Sequence, residues 1–275
     1  MKKKIIIIIV GVIVVVLMLF FATMTQKPSH DRTWELGHGK LPHIQISDND
    51  IVVKDMRDFT WNDDGGADDK YITERFELDK MNRLDVIVSH FSDSDALAHI
   101  FMSFGFENGQ HIVVSVETRR EAHEKFSTIQ GLLNKFELIY VVGTERDVIG
   151  MRTNVRGEKV YLHNVDVDAQ AIQKLFALIT ADINAIYNQP VFYNTLSHNC
   201  TNAITRRAEE VADINFPFSY KMLLPGFVDE VLYDMDIIVK KGTFEETEAK
   251  AEIDNEKVNR DDANFSQQIR QNLKM

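Results

Sequence analysis

The sequence predicts an α+β domain that follows a single membrane-spanning helix. Three observations predict this arrangement: an uncharged apolar run over residues 5–24, short segments rich in Val, Ile, Phe and Tyr between residues 84 and 165, and longer segments with helical periodicity after them. About 250 residues follow the apolar run, which is enough for one large domain or two small ones.

The start of the chain predicts a membrane anchor. Lys2, Lys3 and Lys4 precede the apolar run, and about twenty helical residues span about 30 Å, the thickness of a bilayer core. The alternative is a cleaved signal peptide, but its apolar region usually has about 7–15 residues and ends in a cleavage site with small residues. Because positive charges stay in the cytoplasm, we expect a single pass through the bacterial cytoplasmic (inner) membrane, with the remaining chain on the periplasmic or extracytoplasmic side.

The chain is predicted to divide into the anchor (residues 1–26), one domain (residues 27–242) and an acidic, helical C-terminal extension (residues 243–275). Residues 27–69 are polar and turn-rich and are predicted to wrap the domain or to space it from the membrane. Strands are predicted at residues 84–90, 99–106, 111–117, 138–142 and 159–165. Helices are predicted at residues 168–187, 200–212 and 227–235.

Composition and motifs exclude several classes of function. The chain has 42 acidic and 31 basic side chains, a formal net charge of -11, and no basic stripe, so nucleic acid is not expected as a partner. His-Glu-x-x-His, Gly-x-Gly-x-x-Gly, the Walker loop and Gly-x-Ser-x-Gly do not occur in the sequence. We therefore predict neither a metal site nor a cofactor.

Cys200 is the only cysteine in the chain, and it directly follows Asn199, a good helix N-cap residue. A cysteine in the first turn of a helix has its thiolate form favoured by the unpaired N–H groups and the helix dipole. A lowered thiol pKa makes a nucleophile at neutral pH. The alternative is a small buried hydrophobic residue, which free cysteines often are, and position alone favours neither.

The predicted hairpin at residues 99–117 places a histidine beside a glutamate. A two-residue loop, Asn108-Gly109, would mix polar and apolar side chains on one face, whereas a three-residue loop over residues 107–109 keeps one face apolar. The second register sets His99 opposite Glu117, a pairing that can orient a catalytic base. A lone strand histidine is more often structural, and the sequence does not say whether His99 reaches Cys200.

Seven blocks of sequence carry a family resemblance, at residues 57–59, 98–106, 115–121, 136–142, 145–147, 152–157 and 192–201. Together they resemble the Lnb N-terminal periplasmic domain family, in the order of the family and over about residues 34–270. The resemblance implies a circularly permuted papain-like domain of the NlpC type, with a central antiparallel sheet and flanking helices, related in architecture to lecithin:retinol acyltransferase.

The family's blocks match Ala98-His99, Val116-Glu117 and Asn199-Cys200-Thr201. We therefore predict Cys200, His99 and Glu117 as catalytic residues: His99 takes the proton of Cys200, Glu117 fixes the imidazole, and the thiolate attacks a carbonyl. The candidates for the substrate pocket are Tyr193, Asn199 and Thr201. The family usually has a second Thr where this chain has Asn202, which is expected to leave the nucleophile intact and to alter the pocket beside it.

The resemblance implies a thiol-dependent acyltransferase or hydrolase that acts on a membrane lipid or a lipoprotein, and the predicted N-terminal helix would hold it at the membrane. Two alternatives belong to other classes. One is a papain-like peptidase or amidase acting on cell-wall peptides, and the other is a non-catalytic membrane-tethered module that retains the fold.

Overall fold

The computed structural model of the protein describes residues 2–24 and 27–274. Helix α1, Lys2–Met24, covers the apolar run at the start of the chain. Across the two described ranges, no helix combines the length and the apolarity that crossing a membrane requires. The helix is present where the sequence predicts it, and the membrane span itself is not supported by the structure.

The centre of the protein is a mostly antiparallel sheet. Eight strands form it in the order β1-β2-β9-β8-β7-β6-β10, with β5 paired to β2, and only the β2–β9 pair is parallel. Strands β3 and β4 form a separate small hairpin. The bounds of the described strands are β1 His43–Ser47, β2 Asp50–Arg57, β3 Thr60–Trp61, β4 Ala67–Asp68, β5 Tyr71–Glu77, β6 Met81–His90, β7 Ala98–Phe106, β8 His111–Arg119, β9 Glu137–Gly143 and β10 Lys159–Asn164.

Helices flank this sheet, which confirms the predicted α+β class. Helix α3 runs on into a π-helical turn, Met151–Val155. The bounds of the helices after α1 are α2 Thr128–Leu132, α3 Glu145–Gly150, α4 Ala169–Asn188, α5 Cys200–Ala212, α6 Tyr220–Leu223, α7 Val228–Asp234, α8 Phe244–Ala251 and α9 Phe265–Gln268.

The sheet separates two apolar cores, because successive side chains of a strand point to opposite faces. On one face, Ile100, Met102 and Phe104 of β7 belong to the first core, together with Phe176 of α4 and Cys200 of α5. On the other face, Phe101 of β7 belongs to the second core. Alternation along β7 therefore decides which residues can meet α5.

The structure of residues 27–69 differs from the prediction that this segment wraps the domain or spaces it from the membrane. They contain β1 and β2, and Ile44, Ile51, Val53 and Met56 are buried in the first core, so this segment is part of the sheet and not a polar wrap. The pairing of β2 with β5 shifts between Val53 and Met56, and Asp55 has a φ of 52°. This β-bulge interrupts the alternation of apolar residues by which a strand is recognised in a sequence.

The hairpin of β7 and β8 has the predicted register. Phe101 lies opposite Ser115, and the N–H of Phe106 donates to the carbonyl of Gln110 at 3.0 Å across residues 107–109. Gly109 has a φ of +83°, the left-handed conformation that a three-residue loop requires at this position. Continued by two residues, this register puts His99 opposite Glu117.

The segment predicted as a C-terminal extension packs onto the second face of the sheet. Ile253, Phe265 and Ile269 are buried in the second core. Arg270 donates to Asp85 of β6 at 2.8 Å and to Glu145 of α3 at 2.8 Å, and all three side chains are buried. This segment therefore closes one side of the sheet, while the predicted division of the chain at residue 243 stays a prediction.

Candidate active site

Cys200 lies where the sequence predicts it, at the first residue of α5. The Asn199 side chain caps the helix, since its Oδ1 accepts a hydrogen bond from the N–H of Asn202 at 2.8 Å. The Asn202 side chain donates to the carbonyl of Leu196 at 2.6 Å. The residue at which this chain departs from the family pattern thus fixes the loop that leads into Cys200.

Several hydrogen-bond donors near Cys200 lower the pKa of its thiol, although, within the described residues, none makes a conventional hydrogen bond to the sulfur. The backbone N–H groups of Ile100, Cys200 and Thr201 favour the thiolate. The Thr201 hydroxyl also favours it, although in distance and angle this hydroxyl makes no conventional hydrogen bond to a protein atom. A negative charge at this sulfur, or on an oxygen next to it, would meet oriented donors.

Burial nevertheless decides the pKa of the thiol. Cys200 is 6% exposed, and its desolvation raises the pKa above the ordinary value, outweighing the donors around it. The lowered pKa predicted from the helix start is therefore wrong for this conformation. The helix terminus supplies the donors, but the apolar surroundings disfavour charge more strongly.

The predicted pocket residues Tyr193, Asn199 and Thr201 all lie close to Cys200. Tyr193 is buried, and its pKa is raised first by burial and then by the negative charge of a Cys200 thiolate. Thr201 and Ile100 line an apolar cavity of about 70 Å³ between α5 and the sheet. The thiol thus has a tyrosine on one side and an apolar cavity next to it.

His99 and Glu117 are brought together as predicted, through a third residue. The Nε2 of His99 lies 2.7 Å from the Oγ of Ser115, and this hydroxyl donates to Oε1 of Glu117 at 2.8 Å. The direct distance from Nε2 to Oε1 is 3.8 Å. Because the one hydroxyl proton goes to the carboxylate, we assign the Nε2–H tautomer to His99, which leaves Nδ1 with the free lone pair.

Ser115 is a functional candidate that sequence reasoning missed. It lies opposite Phe101 in the register of β7 and β8, two residues before Glu117, so the two side chains share one face of β8. The predicted register already contained this signal. A hydroxyl between an imidazole and a carboxylate relays their interaction, because it accepts from one and donates to the other.

The surroundings of Glu117 keep it ionised and keep His99 neutral. Burial opposes the charge of Glu117, but the hydrogen bond with His38 and the charge of Arg152 hold its pKa well below the ordinary value. Arg152 donates to Glu117 at 3.1 Å and is itself buried. Burial first, and the charge of Arg152 second, lower the pKa of His99 to about 3.

The structure does not bring His99 to Cys200. The imidazole of His99 stacks on Phe101, with ring centroids 5.5 Å apart, and Phe101 belongs to the second core. Cys200 belongs to the first core, so strand β7 separates the thiol from the imidazole. What links them is Ile100, the residue after His99, whose backbone N–H favours the Cys200 thiolate.

The polar cluster around Glu117 extends into a buried ion pair that joins two of the seven blocks. Arg57 donates to both carboxylate oxygens of Asp147, from Nε at 2.9 Å and from Nη2 at 2.7 Å. The charge of Glu117 also acts on Arg57. Residues 57–59 and 145–147 therefore hold β2 to α3, a structural reason for their presence.

The fold and the site define an α+β domain with a lone buried thiol at the start of a helix that packs on the sheet. A family model described as the Lnb N-terminal periplasmic domain matches residues 67–226, more than half of the 275 residues. The chain belongs to the Lnb N-terminal periplasmic domain family, which confirms the resemblance seen in the sequence and suggests an extracytoplasmic location. Comparison with curated proteins and with solved structures found no significant match.

Proposed function

We propose that the protein is a membrane-anchored acyltransferase or hydrolase that uses Cys200 as its nucleophile and acts on an acyl lipid or a lipoprotein. The observation that supports this most is the position of Cys200 at the start of α5, where nearby N–H groups favour its thiolate, beside an apolar cavity. Such donors stabilise the oxyanion that forms in acyl transfer. In this proposal the domain is a circularly permuted papain-like one, and α1 spans the cytoplasmic membrane and holds the site near its outer surface.

The proposed reaction has two steps. The Cys200 thiolate attacks the carbonyl carbon of an ester or amide, the bond to the leaving oxygen or nitrogen breaks, and the leaving group takes up a proton. This gives a thioester on Cys200. An amine or a water molecule then attacks the thioester, and the thiol is regenerated as the acyl group departs.

Two roles for His99 and Glu117 are compatible with this reaction. As a general base oriented by Glu117, His99 would take the proton of Cys200, which requires the imidazole to reach the other face of β7. As a positioning residue, His99 would act without movement, because it precedes Ile100, whose N–H favours the Cys200 thiolate. Tyr193, Asn199 and Thr201 are proposed to line the substrate pocket.

The thioester is tested by intact mass. The full-length chain is incubated with phospholipid vesicles, and an added acyl mass is sought on the wild type, on Cys200→Ala and on the control Ser197→Ala, which changes an exposed side chain in the preceding loop. We expect the adduct on the wild type and the control and not on Cys200→Ala. No adduct on the wild type, with function unchanged in Cys200→Ala, would overturn the mechanism.

A pair of substitutions separates the two roles of His99. The glutamine of His99→Gln can still donate a hydrogen bond to Ser115 but cannot take a proton, whereas His99→Ala loses both properties. If His99 is the base, both variants lose about 10²–10⁴-fold in the rate of adduct formation. If His99 is a positioning residue, His99→Gln keeps most of the rate and only His99→Ala loses it.

A non-catalytic membrane-tethered module is the second candidate, because a specific observation favours it. The thiol is buried, its pKa is raised by that burial, and β7 separates it from His99. In a binding module Cys200 fills the first core, so Cys200→Ala would lower stability and leave the biological function intact. The mass experiment and a functional assay in cells, each comparing Cys200→Ala with Ser197→Ala, decide between the two candidate functions.

A further inference from the structure

A second concavity lies where β6 ends and β10 begins, and α7 and α8 close it. Its volume is about 690 Å³, and none of its lining residues lines the apolar cavity beside Cys200. Residues from the loop after β6, from β10, from α7 and from α8 form its walls. We call this the α7–α8 cleft.

Negative charge dominates the α7–α8 cleft. Six carboxylates line it against two permanent cations, Arg156 and Lys159. Glu158 pairs with Arg156 and Glu230 pairs with Lys221. Within the described residues, the remaining four carboxylates have no lysine or arginine within ion-pair distance: Asp93, Asp95, Asp229 and Glu248.

Asp229 is the most informative of these carboxylates, because it is only 2% exposed. Its Oδ1 accepts a hydrogen bond from the N–H of Glu230 at 2.9 Å. Its Oδ2 accepts none and lies 3.4 Å from Nε2 of His163, which likewise makes no hydrogen bond. Among the described residues, His163 is the one ion-pair partner of this buried oxygen, and no lysine or arginine neutralises it, so a positive charge supplied from the cleft would give it a further counter-charge.

Glu248 of α8 lies close enough to Asp229 for the charge of that carboxylate to affect it. Burial first, and the charge of Asp229 second, raise its pKa. Two carboxylates that repel each other at the edge of a cleft attract a cation between them. Three His, Cys, Asp or Glu side chains converging as metal ligands are not found among the described residues, so the arrangement fits a larger, weakly coordinating cation better than a metal ion.

The cleft also has an aromatic wall, which includes Phe227 and Tyr161 of β10, a residue that is only 3% exposed beneath the side chain of Lys159. The ammonium of Lys159 lies 5.1 Å from the centre of the Tyr161 ring. Because the Lys159 side chain is 57% exposed, it is a surface group that a ligand can displace. The protein thus places one of its own ammonium groups over the ring, where a ligand ammonium would gain the same cation–π attraction.

We infer that the α7–α8 cleft binds an organic ammonium ion, with Asp229 and Glu248 as its counter-charges and the ring of Tyr161 as its cation–π partner. This inference goes beyond the proposed function and does not depend on Cys200. It predicts an unusual sign for one substitution: loss of Lys159 should strengthen binding, because the cleft loses a competing cation and the ring becomes free.

The test uses choline and ethanolamine as probes, and 3,3-dimethyl-1-butanol as the neutral isostere of choline, titrated calorimetrically into the full-length chain. We expect saturable binding of at least one ammonium, and binding of the neutral isostere weaker by about tenfold. Glu248→Gln and Tyr161→Leu should each weaken ammonium binding by roughly threefold to tenfold. Lys159→Gln should strengthen it.

Controls make either outcome decisive. Glu77→Gln removes one negative charge from an exposed side chain of β5, which pairs with β2 at the opposite end of the sheet from β6 and β10, and should leave binding unchanged. Cys200→Ala should also bind as the wild type does, so a failure here is separate from a failure of the acyl chemistry. Asp229→Asn, if it folds, should weaken binding as well. No saturable binding of either ammonium, equal binding of the neutral isostere, or weaker binding by Lys159→Gln would each overturn the inference.

Discussion

Replacing Asp147 by alanine tests whether the buried polar cluster holds the domain together. The Asp147 side chain is fully buried, and its two oxygens accept four hydrogen bonds, two from Arg57, one from the N–H of Phe59 and one from Nε1 of Trp61. In Asp147→Ala, the guanidinium of Arg57 stays buried without its counter-charge. Breaking a buried pair in this way costs about 3–5 kcal/mol, so we expect the free energy of unfolding to fall by that amount.

The matched control is Asp63→Ala. Asp63 also pairs with an arginine, Arg260 at 3.0 Å, but the Asp63 side chain is 94% exposed, so its loss should cost at most about 1 kcal/mol. Urea unfolding of the full-length chain, followed by circular dichroism, measures the free energy of unfolding of both variants. The comparison holds when the slope of this free energy against urea concentration is the same for both. If Asp147→Ala loses no more free energy of unfolding than Asp63→Ala, the ion pair with Arg57 does not stabilise the domain and the reasoning from burial is refuted.

Two further predictions concern charge and pH. Burial opposes the ionisation of Glu145, but Arg270 lowers the pKa of this carboxyl to about 2. An unfolded Glu titrates near ~4.3. The ionised carboxylate therefore stabilises the fold above that pH and loses its contribution as the pH falls toward 2. The difference in unfolding free energy between the wild type and Glu145→Gln should therefore shrink between pH ~4.3 and ~2, and a constant difference contradicts the assignment. Burial raises the pKa of Cys200, so iodoacetamide should label the native protein at pH ~8 more slowly than it labels a free cysteine. In urea, where the thiol is exposed, labelling should reach the rate of a free cysteine. Intact mass measures both rates, and fast labelling of the native protein would contradict the burial of Cys200.

Local patterns were enough to predict much of the fold. The alternation of apolar residues determined the register of β7 and β8, because only the three-residue loop over residues 107–109 keeps one face apolar. The N-cap at Asn199 fixed the start of α5 in the same way. Strand β2 escaped prediction because the bulge at Asp55 shifts its alternation by one residue, and the bulge is stabilised by pairing with β5, which is not visible in local sequence.

The sequence predicted the two parts of the candidate site, but not how they lie relative to each other. The hairpin register gave the pair of His99 and Glu117, and the helix start gave Cys200. Which face of β7 receives α5 depends on long-range packing, with Phe176 of α4 against Phe104 of β7, and that packing puts α5 on the side of Ile100. The pKa of the thiol could not be predicted for the same reason, since burial, and not the helix terminus, determines it.

Arg270 sets an order of events for the folding of the chain. It neutralises Asp85, which precedes it by 185 residues, and Glu145, which precedes it by 125 residues. While the chain is being synthesised, both carboxylates are available long before this guanidinium. Arg83 can already pair with Asp85, but among the described residues Arg270 is the only lysine or arginine within ion-pair distance of Glu145, so closing the second face earlier would bury this carboxylate without its counter-charge. We therefore expect this side of the sheet to stay solvated until the segment that contains α9 has been synthesised.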